Sequence, residues 1–130
     1  MIHPGIYNEG LVIDKPLEIE GEGDLGEVVI QTTGEHTVLF KASIGQVRNL
    51  TLRQNGGKIW NCVEITQGQL LLEECDISSQ SSACICIHHY LGANSHLSAN
   101  PTMRNNRIHD GGIIHVFELP GDGIEVPKIP

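Results

Sequence analysis

Residues 47–77 read VRNLTLRQNGGKIWNCVEITQGQLLLEECDI and contain the same six-residue pattern twice. Residues 47–52 and 72–77 both run apolar, any residue, polar, apolar, any residue, apolar. A third copy lies at 103–108, and a fainter copy lies at 25–30. Four copies at similar spacing indicate a repeat protein.

A second pattern, of strict alternation, lies between these copies and has nearly the same spacing. It occupies residues 37–40, 62–65, 84–87 and 113–116. Every second residue in these runs is apolar, which is typical of short β-strands whose side chains point alternately to opposite faces. The two patterns together predict an all-β protein, a solenoid of four to five turns whose equivalent strands stack about 4.8 Å apart.

The repeat also predicts which residues stack on one another. The polar third position, Asn49, Glu74 and Asn105, is expected to form the bend between two strands, where asparagine tolerates a left-handed backbone. Outward columns are expected to mix the two signs of charge, because like charges one rung apart would repel. These outward columns are Arg48/Glu73/Arg104 and Thr51/Asp76/Arg107. The inward columns are expected at Val47/Leu72/Met103, Leu50/Cys75/Asn106 and Leu52/Ile77/Ile108.

Length and composition limit the class of protein. The 130 residues predict one domain over 1–130, with a loop insertion at 90–101 and an irregular tail at 118–130, or one that caps the edge of the coil. The formal charge of −8, without a basic cluster, makes nucleic acid an unexpected partner. No apolar run is long enough to cross a bilayer, no signal segment is recognisable, and the cysteines are interpreted as buried and free, so a cytoplasmic or nuclear location without membrane contact is expected.

Three phrases support a resemblance to a known family: IHPGIYNEGLVIDKPLEIEGEG at 2–23, LLEECDIS at 71–78 and NPTMRNNRIHDGG at 100–112. They resemble the right-handed parallel β-helix repeats of the carbohydrate-binding and sugar-hydrolase type, and are most similar to the β-helix region of F-box proteins. The resemblance implies a right-handed parallel β-helix with three strands per turn. It also implies recognition of a protein substrate for a ubiquitin ligase, although the chain contains no helical F-box segment.

The function expected from these features is that of a non-catalytic module that binds a protein partner. The alternative is a carbohydrate-binding or polysaccharide-cleaving, pectin-lyase-like β-helix. Hydrolysis of a glycosidic bond requires two carboxylates that face one groove. The weak catalytic candidates are Asp76 and Arg107, but the available carboxylates lie in one strand and bend and do not converge across several turns. These carboxylates are Glu73, Glu74 and Asp76, with Arg104 as the other basic candidate. A homodimer through the uncapped end of the coil is a further expectation, because an open parallel edge invites pairing.

One face of the predicted coil is less polar than a solvated sheet face should be, and an exposed apolar patch commonly marks a partner surface. A metal site could be built from His88, His89 and His96 with Cys84 and Cys86, but adjacent histidines on a strand point in opposite directions. No metal ligand and no cofactor are therefore expected. The predicted binding residues are Glu64, Cys86, His88, His89, Tyr90, Ile113 and His115.

Overall fold

The computed structural model of the protein describes residues 1–57, 60–80, 83–90, 99–119 and 126–128, and for 89–90, 112–119 and 126–128 it describes the backbone only. The described residues form strands and no helix, as the alternating patterns predict. The strands are β1 Gly5–Tyr7, β2 Leu11–Ile13, β3 Leu17–Glu20, β4 Val28–Thr32, β5 Val38–Phe40, β6 Ile44–Arg48, β7 Thr51–Gln54, β8 Val63–Ile65, β9 Gln69–Glu73, β10 Asp76–Ser79, β11 Ala83–Tyr90, β12 Thr102–Arg104, β13 Arg107–His109, β14 Gly112–Leu119 and β15 Val126–Lys128.

Up to β14, every third strand joins the same sheet, so the chain winds through three sheets in turn. The orders are β1-β4-β7-β10-β13 in sheet 1, β2-β5-β8-β11-β14-β15 in sheet 2 and β3-β6-β9-β12 in sheet 3. Among the described strands, all pairs are parallel except β14 with β15. Between β3 and β12 the chain passes three times around the axis, so this is a parallel β-solenoid of about three turns, slightly fewer than the four to five predicted.

The predicted columns are confirmed by the register of the sheets. In sheet 2, Val63 pairs with Val38 on one side and Ile85 on the other. In sheet 1, Ile77 lies between Leu52 and Ile108. These inward side chains form one hydrophobic cluster that runs through the coil, and burying them supplies the main stabilisation of the fold.

The predicted bends are confirmed as well. Asn49, Glu74 and Asn105 all adopt a φ of 54°, the left-handed region that a side chain normally disfavours. Asn49 offsets this cost because its side-chain nitrogen donates hydrogen bonds to the carbonyl oxygens of Gly21 and Gly23, at 2.9 and 2.8 Å. The asparagine therefore joins its own bend to the preceding turn.

The prediction of a first, fainter copy of the repeat at residues 25–30 is only half correct. Its second half is in register, because Ile30 pairs with Leu52. Its first half is not a strand, since Leu25 is exposed and the residue that pairs with Val47 is Ile19. Residues 21–27 form a longer corner between β3 and β4. The first half of the sequence pattern therefore falls in this corner and not on β3, where the residue equivalent to Val47 lies.

Of the tail predicted at 118–130 as irregular or edge-capping, the structure describes residues 118–119 and 126–128, and these lie in strands. Strand β14 continues to Leu119, and β15 pairs antiparallel with it, with Val116 opposite Lys128. The edge of β14 presents unpaired backbone groups, which a strand satisfies better than an irregular segment does. Pro127 is compatible with this position because β15 is the last strand of the sheet. The loop predicted at 90–101 falls mostly on 91–98, outside the described residues.

The cysteines behave as the sequence indicates. All four lie within the described residues as buried thiols outside any disulfide, and burial raises the pKa of Cys62 to about 12 and that of Cys75 to about 11. These two thiols are therefore protonated at neutral pH and pack as small apolar side chains. Within the described part of the chain, the structure contains no helix of the length and hydropathy needed to cross a membrane.

Candidate functional site

The outward face of sheet 2 contains a buried carboxylate at its centre. Register places Glu64 between Leu39 of β5 and Cys86 of β11, and the backbone of His115 pairs with Cys86 on the next rung. Alternation directs Val63 and Ile65 into the core, so Glu64 must point away from it. Glu64 nevertheless has only 8% of its surface exposed, because side chains from neighbouring turns cover it.

Three neighbours satisfy the Glu64 carboxylate. His88 contacts Oε1 through Nε2, and the side-chain amide of Asn61 donates to Oε2 at 2.7 Å. His36 places Nε2 3.5 Å from Oε2. A buried carboxylate requires such partners, because an unpaired charge away from water is costly.

Asn61 and His36 are fixed in place by further contacts. The side-chain oxygen of Asn61 accepts a hydrogen bond from the backbone N–H of Ala83 at 3.0 Å, so its amide nitrogen faces Glu64. Trp60 packs edge-on against the ring of His36, with 5.1 Å between the ring centroids. The carboxylate is thus held by groups that are themselves oriented by neighbouring turns of the coil.

The same surroundings determine the ionisation of Glu64. Burial raises its pKa, but the hydrogen bonds from His88 and Asn61 and the charges of His88 and His36 outweigh burial, so the pKa lies below its usual value. Glu64 is therefore a carboxylate at neutral pH and acts as an acceptor only.

Cys86 completes the group. Its side chain is almost fully buried, and one ligand atom from each of Glu64, Cys86 and His88 lies within 4.8 Å of the other two. The term Glu64 cluster refers below to five residues, Glu64, Cys86, His88, His36 and Asn61. It contains a carboxylate, a thiol and two imidazoles, all of which can ligate a transition metal.

A second group of side chains, the His109 cluster, lies on the outward face of sheet 1. His109 contacts Asp76 through Nε2 at 2.5 Å and Asp110 through Nδ1 at 2.6 Å. The hydrogen bond with Asp76, and then that with Asp110, raises the pKa of His109 above its usual value. This cluster is open to solvent on the Asp110 side, where the carboxylate is exposed.

The structure brings together only part of the predicted binding face. Glu64, Cys86 and His88 converge, but the expectation of an exposed patch is wrong for Glu64 and Cys86, because both are buried. For the other predicted residues the structure describes only the backbone, with His89 paired to Glu118, Tyr90 to Leu119, and Ile113 and His115 within β14. The remaining metal candidate, His96, is outside the described residues.

The weak catalytic candidates are neighbours in register, since Asp76 pairs with Arg107. The Asp76 carboxylate, however, contacts His109, while Glu73, in sheet 3, contacts Arg48 at 2.9 Å. The two carboxylates thus have different partners in different sheets, which is not the pair facing one groove that glycoside hydrolysis uses.

Sequence reasoning missed His36 and Asn61, although a signal was present. Both stand two residues before a strand, His36 before β5 and Asn61 before β8, so they occupy equivalent positions one repeat apart. Residues at equivalent positions of successive turns are neighbours in space. Extending the columns into the corners would have placed both of them beside Glu64.

Comparison with protein-family models, with curated proteins and with solved structures gives no match. The parallel β-solenoid is therefore assigned on the register of its strands, and the family that the sequence resembles contributes only to a proposal of function.

Proposed function

We propose that the protein is a non-catalytic recognition module that binds a protein partner at the open edge of its first turn. The observation that carries this proposal is the edge itself. Among the described residues, β1, β2 and β3 each pair on one side only. The unpaired N–H and C=O groups of such an edge can accept an added strand from another polypeptide.

Apolar side chains accompany this edge. Ile6 in β1 is 64% exposed and Val12 in β2 is 58% exposed, although both lie within strands. Leu17, at the start of β3, is also exposed where the core reaches the end of the coil. Strand addition uses backbone hydrogen bonds for affinity and side-chain contacts of this kind for specificity.

The charge of the first turn indicates the chemistry of the partner. Residues 1–27 contain seven acidic side chains and one lysine, so this segment has a formal charge of −6 out of −8 for the chain. A second copy would bring two such acidic edges together, which is unfavourable. The proposed partner is therefore an extended protein segment in which basic residues alternate with aliphatic ones.

The resemblance to the β-helix region of F-box proteins supports one form of this function, the recognition of a substrate for a ubiquitin ligase. Under that form, the ligase substrate supplies the basic segment. The buried Glu64 and Cys86 are not available for such contact, so the partner surface is the first turn rather than the outward face of sheet 2.

A second candidate function, glycan binding, is favoured by an open groove of about 420 Å³ along sheet 3. Polar side chains line it, and amides and guanidinium groups can bond sugar hydroxyls. The polar lining residues are Gln46, Gln69, Asn100, Thr102 and Arg104.

The test uses a fluorescent peptide of alternating lysine and valine, with an alternating glutamate and valine peptide as the matched probe. We expect the basic peptide to bind more tightly, and salt to weaken it, because exposed charges are screened. The double variant Ile6→Lys, Val12→Lys is expected to weaken binding at least about tenfold, whereas Ile44→Lys, at a site 54% exposed but outside the first turn, should not change it.

Equal affinity for the two peptides, or equal loss in the Ile44→Lys control, would contradict the proposal. Light scattering across a dilution series tests whether a second copy of this chain binds the open edge. A stable dimer that Ile6→Lys dissociates would show that the partner is the second copy and not a basic segment. Binding of an oligosaccharide that Gln46→Ala removes, without any peptide binding, would favour the glycan function.

A further inference from the structure

The Glu64 cluster has the composition and spacing of a metal site. One ligand atom from each of Glu64, Cys86 and His88 lies within 4.8 Å of the others. In a tetrahedral zinc site, with bonds of about 2.0–2.3 Å, neighbouring ligand atoms are about 3.3–3.8 Å apart. Small side-chain adjustments would therefore bring the three atoms to coordination distance.

His36 lies beside these three ligand atoms but is not a fourth ligand. Its Nε2 is 3.5 Å from Glu64, and its Nδ1 accepts a hydrogen bond from the backbone N–H of Asn61 at 2.9 Å. With Nδ1 as an acceptor, the ring proton lies on Nε2 and faces the Glu64 carboxylate. The fourth position of a tetrahedral site is therefore left to water, as in zinc sites with three protein ligands.

The charges also balance. A divalent ion with the Glu64 carboxylate, the Cys86 thiolate and the neutral imidazole of His88 has no net charge, which suits a site as buried as this one. The Cys86 thiol releases its proton to solvent when the metal binds. The mixed set of nitrogen, oxygen and sulfur ligands fits zinc and similar transition ions, whereas calcium and magnesium prefer oxygen alone.

We propose that Glu64, Cys86 and His88 supply three ligands of a site for a divalent transition metal ion, with zinc as the expected occupant and water at the fourth position. The ligands come from two successive turns, since Glu64 is in β8, and Cys86 and His88 are in β11. The metal ion would therefore clamp these turns together across sheet 2 and stabilise the solenoid.

Cobalt(II) is the probe, because it takes zinc sites and reports its ligands optically. We expect metal-free protein to bind one cobalt ion per chain and to develop the visible absorption of tetrahedral cobalt together with a thiolate-to-metal charge-transfer band. The fluorescence of Trp60, the single tryptophan, should be quenched in parallel, because its ring packs against His36. Zinc should displace the cobalt and raise the melting temperature.

Matched variants test each ligand. Cys86→Ser should remove the charge-transfer band, whereas Cys84→Ser, in the same strand but outside the cluster, should retain it. Since buried substitutions can impair folding, His88→Gln provides a second test at a partly exposed site, and it should weaken cobalt binding at least about tenfold. His3→Gln, an exposed histidine far along the chain, serves as its control.

Two results would overturn the proposal. The first is folded wild-type protein that shows no charge-transfer band with equimolar cobalt, in which case Glu64 and His88 form a structural ion pair only. The second is a band that survives in a folded Cys86→Ser variant, or cobalt affinity that His88→Gln and His3→Gln reduce equally.

Discussion

The Glu64 cluster and the His109 cluster use the same pairing, a histidine against a carboxylate on the outward face of a sheet, in different surroundings. The Glu64 side chain is 11% exposed and has further partners in Asn61 and His36. In the His109 cluster, Asp110 is 80% exposed. Burial, rather than the identity of the pair, therefore decides how much each contact matters to stability and what chemistry it permits.

The largest expected effect is a difference in stability between variants of two carboxylates, Glu64 and Asp76. In metal-free protein, Glu64→Gln is expected to lower the free energy of unfolding by about 2–4 kcal/mol, because it leaves His88 and His36 near a buried site without their charged acceptor. Asp76→Asn should lower it by less than about 1 kcal/mol, since its ion pair with His109 is partly solvated. Urea unfolding of both variants in the presence of a chelator measures the difference, and equal losses would remove the distinction between the clusters.

The second effect is a dependence of stability on pH that comes from the His109 cluster. The pKa of His109 is raised in the folded state by Asp76 and then Asp110. The stabilisation is therefore fully present below the unfolded pKa of about 6.5 and is lost as pH rises through the higher folded pKa. We expect wild-type protein to lose more stability than His109→Gln over this window.

The raised pKa itself is measured by following the ring proton of His109 by nuclear magnetic resonance during a pH titration. His3, which also contacts a glutamate but on an exposed surface, is the internal comparison. A folded-state pKa of His109 at or below its usual value would show that the two aspartates do not act on it.

The smallest expected effect concerns Asp110. Asp110→Asn removes one of the two carboxylates beside His109, so the pKa of His109 should fall but stay above its usual value, because Asp76 exerts the larger influence. The free energy of unfolding should change by less than about 0.5 kcal/mol, since asparagine tolerates the φ of 54° at this position. The same titration compares the pKa of His109 in Asp110→Asn and in Asp76→Asn. A larger fall of this pKa in Asp110→Asn would show that Asp110, and not Asp76, exerts the larger influence.

Much of the fold could be predicted from the sequence because each turn repeats the same local demands. The spacing of residues 47–52 and 72–77 was enough to set the register of Leu52 with Ile77, and the polar third position identified the left-handed bends. The pattern failed at 25–30, where the longer corner at 21–27 separates two strands that are adjacent elsewhere. Periodicity predicts strands well and the lengths of corners poorly.

The candidate site was harder to predict for a physical reason. Alternation places Glu64 and Cys86 on the outward face, and an outward position on a single sheet is normally solvated. Glu64 is contacted by His36, on which Trp60 packs, and both come from corners whose conformation no strand pattern describes. The tail presents the same difficulty, since β15 is defined by the edge of β14 that it covers.

The left-handed bends have a consequence for how this coil can be altered. At three successive turns, sheet 3 connects to sheet 1 by two residues, at 49–50, 74–75 and 105–106, and the first of each pair has the same φ. These corners are nevertheless unevenly spaced along the chain, so the variation in length falls on the strands and on the other two corners of each turn. The bends act as fixed reference points, and a designer who grafts a foreign loop into this scaffold should place it at the other corners.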